Sequence, residues 1–186
     1  MNISKSIFLG AMTLCLAFNS FAQSVSPAPL KGRVQAQVHY VDDGDTLDAL
    51  VMGVMYRIRL SDIDAPEVSH CKESKLDCKR PGQPFAQESK ARLTSLVAGG
   101  RVELLCTDYD SRYSRSVCRV YANGVDANAT LVREGLAWFN EKYSRDADVR
   151  RAQEQAKRSG LGIWSDANAV APWVWRERCW KWGNCH

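Results

Sequence analysis

Short segments with a two-residue periodicity constrain the fold of this chain more than any other feature. The first, RVQAQVHYV at 33–41, alternates between polar and apolar side chains, as expected of a half-buried strand. Turn residues at 42–44 and at Gly53 separate it from two further segments of the same kind. The sequence therefore predicts five strands, at residues 33–41, 46–51, 55–60, 102–106 and 117–121.

Three helices complete the predicted architecture. One lies between the third and fourth strands and ends at Gly99-Gly100, and two follow the fifth strand. We place these helices at residues 84–98, 126–134 and 147–158. Five short strands with one helix between the third and fourth are typical of an α+β fold built on a five-stranded OB-type Greek-key barrel.

The first 22 residues have the features of a secretory signal peptide. Lys5 precedes an apolar run at 7–18, and Ser20 and Ala22 supply small residues before a cleavage site. The apolar run is too short to span a bilayer comfortably. We expect residues 1–22 to be removed on export to the periplasm or the medium, and polar residues 23–32 to form a flexible lead-in.

Six of the seven cysteines lie outside the signal peptide. An even number of cysteines in an exported chain favours disulfides. Proximity along the sequence suggests one of several possible connectivities, namely Cys71–Cys78, Cys106–Cys118 and Cys179–Cys185. The alternative is a metal site made by His70 with the first two of these cysteines.

Two acidic turns form a candidate cation site. Asp43 and Asp45 flank Gly44, and Asp64 and Glu67 flank a proline corner after the third strand. Sequential strands tend to be neighbours, so the two turns are expected to lie close together. Clustered carboxylates remain ionised only if they are solvated or bridged by a cation, and an all-oxygen set favours Ca²⁺ or Mg²⁺. Solvated turn residues are the alternative.

Two arginines add a phosphate-binding function to this set. Arg59 ends the third strand, and Arg115 enters the fifth. Guanidinium groups bind phosphate oxygens through two parallel hydrogen bonds. A cation and two arginines around one point would stabilise a five-coordinate phosphorus, and Glu67 is placed to align or deprotonate a water molecule. The net charge of +4 permits a nucleic-acid partner without requiring one.

Several motifs in a fixed order resemble the staphylococcal nuclease (thermonuclease) family. They are DGDT at 43–46, RLSDIDAPE at 59–67, DSRYSR at 110–115, LVREGLAW at 131–138 and AQEQAKRSGLGIW at 152–164. The resemblance covers roughly residues 34–166, so residues 33–166 are interpreted as a nuclease-like OB-fold domain, followed by a Trp-rich, cysteine-containing tail at 167–186.

The resemblance implies a calcium site. Asp45 and Asp64 match the family's calcium carboxylates. Ala65 matches a position that offers its backbone carbonyl to calcium, and Asp43 matches an outer-shell residue that acts through water.

The resemblance also implies a catalytic and substrate-binding set. Glu67 matches the general base or water-orienting residue, and Arg59 and Arg115 match the phosphate-binding arginines. Tyr113 and Tyr143 match tyrosines near the bound nucleotide. A member with these residues is expected to be a monomer that hydrolyses DNA and RNA with calcium and leaves 3′-phosphates. The rival interpretations are a catalytically inactive OB-fold nucleic-acid-binding module and a structural envelope protein.

Three features depart from the family pattern. Ser114 stands where members commonly have glycine, and Glu141 replaces a second tyrosine. The segment at 70–80 is longer and is bounded by cysteines, so its basic side chains form either a phosphate-tracking rim or a solvated loop. The four tryptophans of the tail either stack on single-stranded bases, pack on the domain or contact an envelope surface.

Overall fold

Five long strands form a closed barrel in a computed structural model that describes residues 27–71, 78 and 80–185. The strands, including three short ones, are β1 Gly32–Val41, β2 Thr46–Val51, β3 Val54–Leu60, β4 Ile63–Asp64, β5 Arg101–Asp110, β6 Arg115–Ala122, β7 Val125–Asp126 and β8 Trp138–Phe139. The predicted α+β fold with an OB-type barrel is confirmed. β5 and β6 are longer than predicted because their ladder continues to the turn between them.

Closure of the barrel brings distant parts of the sequence together. The long strands follow the order β3-β2-β1-β5-β6, and each neighbouring pair is antiparallel. A parallel pairing of β3 with β6 then closes the sheet, with Arg59 opposite Val117. Arg59 also lies opposite Thr46 on β2. The end of β3, the start of β2 and the start of β6 therefore meet at one rim of the barrel.

The barrel interior holds the apolar residues of the alternating pattern. Leu47, Ile58, Leu104 and Val120 are fully buried, while polar residues between them face outward. The helices of the described residues are α1 Ala86–Leu96, α2 Ala127–Arg133, α3 Ala147–Arg158 and α4 Pro172–Trp175. Leu93 of α1, Leu131 of α2 and Val149 of α3 extend the same core. Burial of such side chains is the main favourable contribution to folding.

The described part of the chain has four helices, so the prediction of three was incomplete. α4 begins with Pro172 at its first position and continues as a π-helical segment, Arg176–Lys181. Proline is favoured at a helix N-terminus because its missing N–H would have no partner there. This region was predicted only as a Trp-rich tail, because a helix of four residues is too short to show a helical period.

Two aspartates fix the starts of α2 and α3. The side chain of Asp126 accepts a hydrogen bond from the N–H of Ala129, and that of Asp146 accepts from Asp148 and Val149. Such caps satisfy N–H groups that have no partner within the helix. Both helices begin within one residue of the predicted positions.

The three disulfides are those suggested by sequence proximity. Cys71–Cys78 links the ends of the loop after β4, Cys106–Cys118 joins β5 to β6, and Cys179–Cys185 closes the tail. The cysteines of the alternative metal site are thus bonded to each other. Lys72, Lys75 and Lys79 lie outside the described residues, as do the predicted signal peptide and residues 23–26.

Within the described ranges, no helix has both the length and the apolar character needed to cross a membrane.

Two buried amides and a short strand pair hold the segment after β3. The Asn128 side chain accepts from the N–H of Val120 and donates to the carbonyl of Ser61. Gln153 of α3 accepts from Phe139 of β8, and β8 pairs with β4. These contacts fix the position of Asp64 at the barrel rim.

Candidate active site

A cleft of about 1030 Å³ lies at the rim where β2, β3 and β6 meet. Eight residues that the sequence predicts for the site line this cleft: Asp43, Asp45, Arg59, Asp64, Glu67, Tyr113, Arg115 and Tyr143. The structure therefore brings the two acidic turns and both arginines to one place, as the strand connectivity predicted.

The first acidic turn is held by close packing against α1. Asp43 accepts a hydrogen bond from the N–H of Asp45 at 2.9 Å. A Cβ atom on Gly44 would lie 2.0 Å from Ser89 Oγ and 2.7 Å from Ala65 Cβ. Gly44 is therefore required by the close approach of its neighbours, and this contact fixes the aspartates on either side of it.

Arg59 joins the two acidic turns. Its guanidinium pairs with Asp45 through Nη1 and with Asp64 Oδ1 through Nη2 at 2.9 Å. The second oxygen of Asp45 accepts from the N–H of Ala65 at 2.6 Å. Asp45 is 5% exposed and Asp64 is 1% exposed. The two carboxylates thus share one guanidinium in a buried environment, where charge interactions are strong.

Arg115 lies on the other side of Thr46. Its Nη2 donates to Asp110 at 2.7 Å, its Nη1 donates to Thr46 Oγ1 at 3.3 Å, and its guanidinium lies 4.8 Å from the centre of the Tyr113 ring. Partial burial acts to raise the pKa of Asp110, but the hydrogen bond and charge of Arg115 lower it below its usual value. Arg115 Nε is buried and has no partner among the residues that the structure describes.

Ser114 adopts the left-handed backbone conformation, with φ of 51°. This is the position where the family pattern favours glycine. A side chain is strained there, since Cβ approaches the backbone. The arginine that follows is nonetheless directed into the cleft.

Glu67 lies at the edge of the cleft and is held through its backbone. Its N–H donates to Gln83 Oε1 at 3.0 Å, and Gln83 Nε2 donates to the carbonyl of Val170 at 2.9 Å. Burial raises the pKa of the Glu67 carboxyl above its usual value, although the charge of Arg176 opposes this effect. Glu67 and Arg176 form an ion pair.

Arg176 is the residue of the site that the sequence analysis missed. Its Nη2 pairs with Asp64 Oδ2 at 2.7 Å, and its Nη1 donates to Asp64 Oδ1 at 3.1 Å. Burial disfavours the charged guanidinium, but the pairing with Asp64 and Glu67 raises the pKa of Arg176 above its usual value. The only sequence signal was a group of arginines among the tail tryptophans, which does not identify a partner 109 positions away.

Comparison with known proteins identifies the family. A profile described as "Staphylococcal nuclease homologue" matches residues 57–166. The chain belongs to the staphylococcal nuclease family.

The similarity to relatives covers most of the length of this chain. The chain is 36% identical over 159 residues to an "Uncharacterized endonuclease" of Escherichia coli, covering 85% of this chain and 92% of the relative. It is 35% identical over 153 residues to a "Micrococcal nuclease" of Shigella flexneri, covering 76% of this chain and 80% of the relative. A "Staphylococcal-like nuclease CAN1" of Arabidopsis thaliana is 32% identical over 127 residues, covering 68% and 35% respectively.

The oxygen atoms of this family member suit a hard cation by their chemistry. Asp45 and Asp64 supply carboxylate oxygens close together, which Ca²⁺ prefers. Within the described ranges, however, no group of three or more His, Cys, Asp or Glu side chains stands ready to hold a metal ion. The guanidinium groups of Arg59 and Arg176 pair with the oxygens of Asp45 and Asp64. A cation at these oxygens would therefore have to displace an arginine.

The predicted base-binding tyrosines lie on the open side of the cleft. Tyr113 is 60% exposed and Tyr143 is 76% exposed. Exposed aromatic rings are suited to stacking on nucleobases, although Arg115 lies over one face of Tyr113 and Lys142 over one face of Tyr143. Glu141, at the position of the missing second tyrosine, is exposed.

Proposed function

We propose that this chain is an exported, calcium-dependent nuclease that hydrolyses DNA and RNA with little sequence preference and leaves 3′-phosphate ends. The observation that supports this most strongly is the convergence of two buried acids, Glu67 and two arginines in one cleft. Membership of a nuclease family and the names of its relatives agree with it.

Arg59 and Arg115 are proposed to hold the scissile phosphate. They lie on either side of Thr46, since Thr46 is opposite Arg59 in the β-ladder and accepts from Arg115. The Nε of Arg115, which has no hydrogen-bond partner in the part of the chain that the structure describes, provides a donor for a phosphate oxygen. Both guanidiniums bind more strongly as negative charge develops in the transition state, which raises the rate.

Glu67 is proposed to orient the attacking water and accept its proton. A general base works best when its pKa lies near the working pH, and burial raises the pKa of Glu67 in that direction. Gln83 holds the Glu67 backbone in place. In the resting structure Arg176 occupies the carboxylate, so this role requires the ion pair to open.

Asp45 and Asp64, with the carbonyl of Ala65 and with Asp43 through water, are proposed to hold Ca²⁺. When bound, the ion supplies positive charge that polarises a phosphate oxygen. Contacts to phosphodiester groups do not depend on base identity, so weak sequence preference follows. Tyr113 and Tyr143 are proposed to stack on flanking bases, which are accessible in single strands and frayed duplexes.

Export is supported by the three disulfides, which persist in oxidising compartments. The destination, periplasm or medium, is left open, and the protein is proposed to act as a monomer.

A digestion experiment tests the proposal against its main rival. Purified protein is incubated with plasmid DNA and with RNA, in calcium and in chelator, and the products are treated with a phosphatase specific for 3′ ends. A nuclease of the proposed kind shortens both polymers only in calcium and leaves phosphatase-sensitive ends. A catalytically inactive binding module shifts the DNA in a gel without shortening it, and that result would refute the proposal.

A further inference from the structure

Arg176 uses hydrogen-bonding positions that a divalent cation would need. It contacts both oxygens of Asp64 and also pairs with Glu67. Asp64 Oδ1 accepts from Arg59 as well. A buried carboxylate whose oxygens already bind two guanidiniums is neutralised, so it attracts a further cation only weakly.

The tail around Arg176 is anchored to the domain at several points. Trp175 and Trp180 both donate their indole N–H groups to the carbonyl of Pro81, at 3.1 and 3.0 Å. Pro172 and Cys179 are buried, and Cys179 forms the disulfide that closes the tail. These contacts hold the backbone of the segment that carries Arg176 over the acidic turns.

The Arg176 side chain can nevertheless leave the acids without unfolding the tail. It is 37% exposed, whereas Arg59 is 15% exposed, so water reaches the guanidinium of Arg176. The Trp indole hydrogen bonds do not involve this side chain. Withdrawal therefore requires the ion pairs with Asp64 and Glu67 to break and a long side chain at the cleft edge to rotate, while the backbone of the tail stays in place.

We propose that Arg176 is a built-in competitor of the divalent cation at Asp64, so that the tail sets the metal concentration at which the site becomes active. This inference rests on the proposed function, because it concerns the same calcium site. It assigns the tail a role in metal affinity beyond packing. It also follows that Arg176 reduces the repulsion between Asp64 and Glu67 when no metal is bound.

Calcium titration without nucleic acid tests the proposal. Metal-stripped wild type, Arg176→Ala and Lys181→Ala are titrated with Ca²⁺ alone in a calorimeter at fixed pH and ionic strength. Lys181 is a matched control, since it lies on the same segment, pairs with Glu177 and carries the same charge. If Arg176 occupies the acids in about nine of ten molecules, it raises the apparent Kd for calcium about tenfold. Arg176→Ala should then bind calcium about tenfold more tightly than wild type. Lys181→Ala should stay within about twofold of wild type, allowing for screened long-range charge.

Thermal unfolding gives a second readout that does not depend on activity. In chelator, Arg176→Ala should melt at a lower temperature than wild type, because Asp64 and Glu67 lose a partner. Saturating calcium should raise its melting temperature by more than it raises that of wild type, by mass action. Arg176→Lys, which keeps the charge but loses the planar fork, should lie between the two.

The outcomes separate this inference from the proposed function. Equal calcium affinity of wild type and Arg176→Ala would overturn the competition. Weaker calcium binding by Arg176→Ala would overturn it too, and would mean that Arg176 supports the ion. Absence of calcium binding by all folded variants would overturn both the inference and the calcium role in the proposed function.

Discussion

Glu67 must lose its ion pair with Arg176 if the proposed chemistry is correct. It is held near the acids by Gln83 and is neutralised by Arg176 in the resting structure. A side chain in this setting contributes to catalysis through its charge more than through packing. Glutamine at this position removes the charge and keeps the shape. Its effect on turnover can therefore be separated from an effect on folding.

We expect Glu67→Gln to lower the turnover of single-stranded DNA by about 10²–10⁴-fold, as loss of a general base does. The melting temperature in calcium should change little, because the backbone hydrogen bond to Gln83 remains. Single-turnover cleavage at saturating enzyme is the measurement. Glu88→Gln, at an exposed position on α1, is the control and should keep wild-type turnover. Unchanged turnover of Glu67→Gln would remove this residue from the chemistry.

Ser114 carries backbone strain that glycine would relieve. The left-handed conformation costs about 1–2 kcal/mol for a residue with Cβ, and glycine costs about 0.5–1 kcal/mol in lost chain entropy. We therefore expect Ser114→Gly to raise the free energy of unfolding by about 0.5–1 kcal/mol in urea denaturation.

The control for Ser114 is Ser111→Gly in the same turn. Ser111 does not have a positive φ, so glycine there should lower the stability instead. Turnover by Ser114→Gly should remain close to wild type, since Arg115 already points into the cleft. A loss of stability in Ser114→Gly would show that the serine side chain makes a contact that outweighs the strain.

At the scale of single elements, Arg119 of β6 ties two helix starts to the barrel. Its Nε pairs with Asp126 at 2.6 Å and its Nη1 with Asp146 at 2.5 Å. Each aspartate caps a helix with one oxygen and binds the guanidinium with the other. The hydrogen bond from Arg119 is the main cause that lowers the pKa of Asp146, with burial opposing it.

The sign of this pKa shift predicts a pH dependence. The fold favours the ionised Asp146, so its stabilisation is present above the usual carboxyl pKa of 3.8 and is lost as the pH falls through the lower folded-state value. Asparagine caps helices as well as aspartate, so Asp146→Asn removes mainly the ion pair. We expect it to cost about 1 kcal/mol at neutral pH, a difference that shrinks progressively below about pH 4.

Urea denaturation across that pH range is the measurement, and Asp148→Asn is the matched control. Asp148 pairs with Arg151 at the surface, where both side chains are more than 70% exposed. Its replacement should have almost no effect at any pH. A constant difference between wild type and Asp146→Asn down to acid pH would contradict the assigned pKa shift.

Local chemistry made some elements predictable and left others out of reach. Asp126 and Asp146 marked the starts of α2 and α3, and Asn123-Gly124 marked a turn in which both residues have positive φ. α1 begins instead at Ala86, after an N-cap residue, Phe85, that has a φ of 65° and makes no side-chain cap, so the predicted start at residue 84 was two residues early. The short strands β4 and β8 are fixed by each other and by Gln153, which local patterns do not show.

At the scale of the whole molecule, the strand pattern implies a closed barrel. To that extent the site was predictable from the sequence. Motifs in order indicated that Arg59 and Arg115 face the same rim, and the β3–β6 pairing places them there. Arg176 was not predictable, because its position depends on how α4 and the π-helical segment pack against Pro81. These contacts join residues 94 and 99 positions apart, and a local sequence pattern does not encode them.

The Cys106–Cys118 disulfide lies between two barrel strands that are already paired. Leu105 is opposite Arg119 on one side of it, and Asp108 is opposite Val117 on the other. We therefore expect the disulfide to stabilise mainly by restricting the unfolded chain, and the β5–β6 ladder to keep Arg115 in place without it. The alternative is that the disulfide is needed to position the Arg115 turn.

We expect the double variant Cys106→Ala and Cys118→Ala to lower the free energy of unfolding by about 2–4 kcal/mol, as removal of a disulfide that closes a short loop does. Loss of buried sulfur atoms adds to this cost. Urea denaturation, before and after reduction, of a variant in which Cys71, Cys78, Cys179 and Cys185 are replaced by alanine measures the Cys106–Cys118 cross-link alone. The double variant Cys179→Ala and Cys185→Ala is the comparison, because it opens a shorter loop outside the barrel and should cost less. Turnover by the folded Cys106 and Cys118 variant should stay within about twofold of wild type, since the ladder on both sides persists. A large loss of turnover in the folded variant would show instead that the cross-link aims Arg115 at the phosphate.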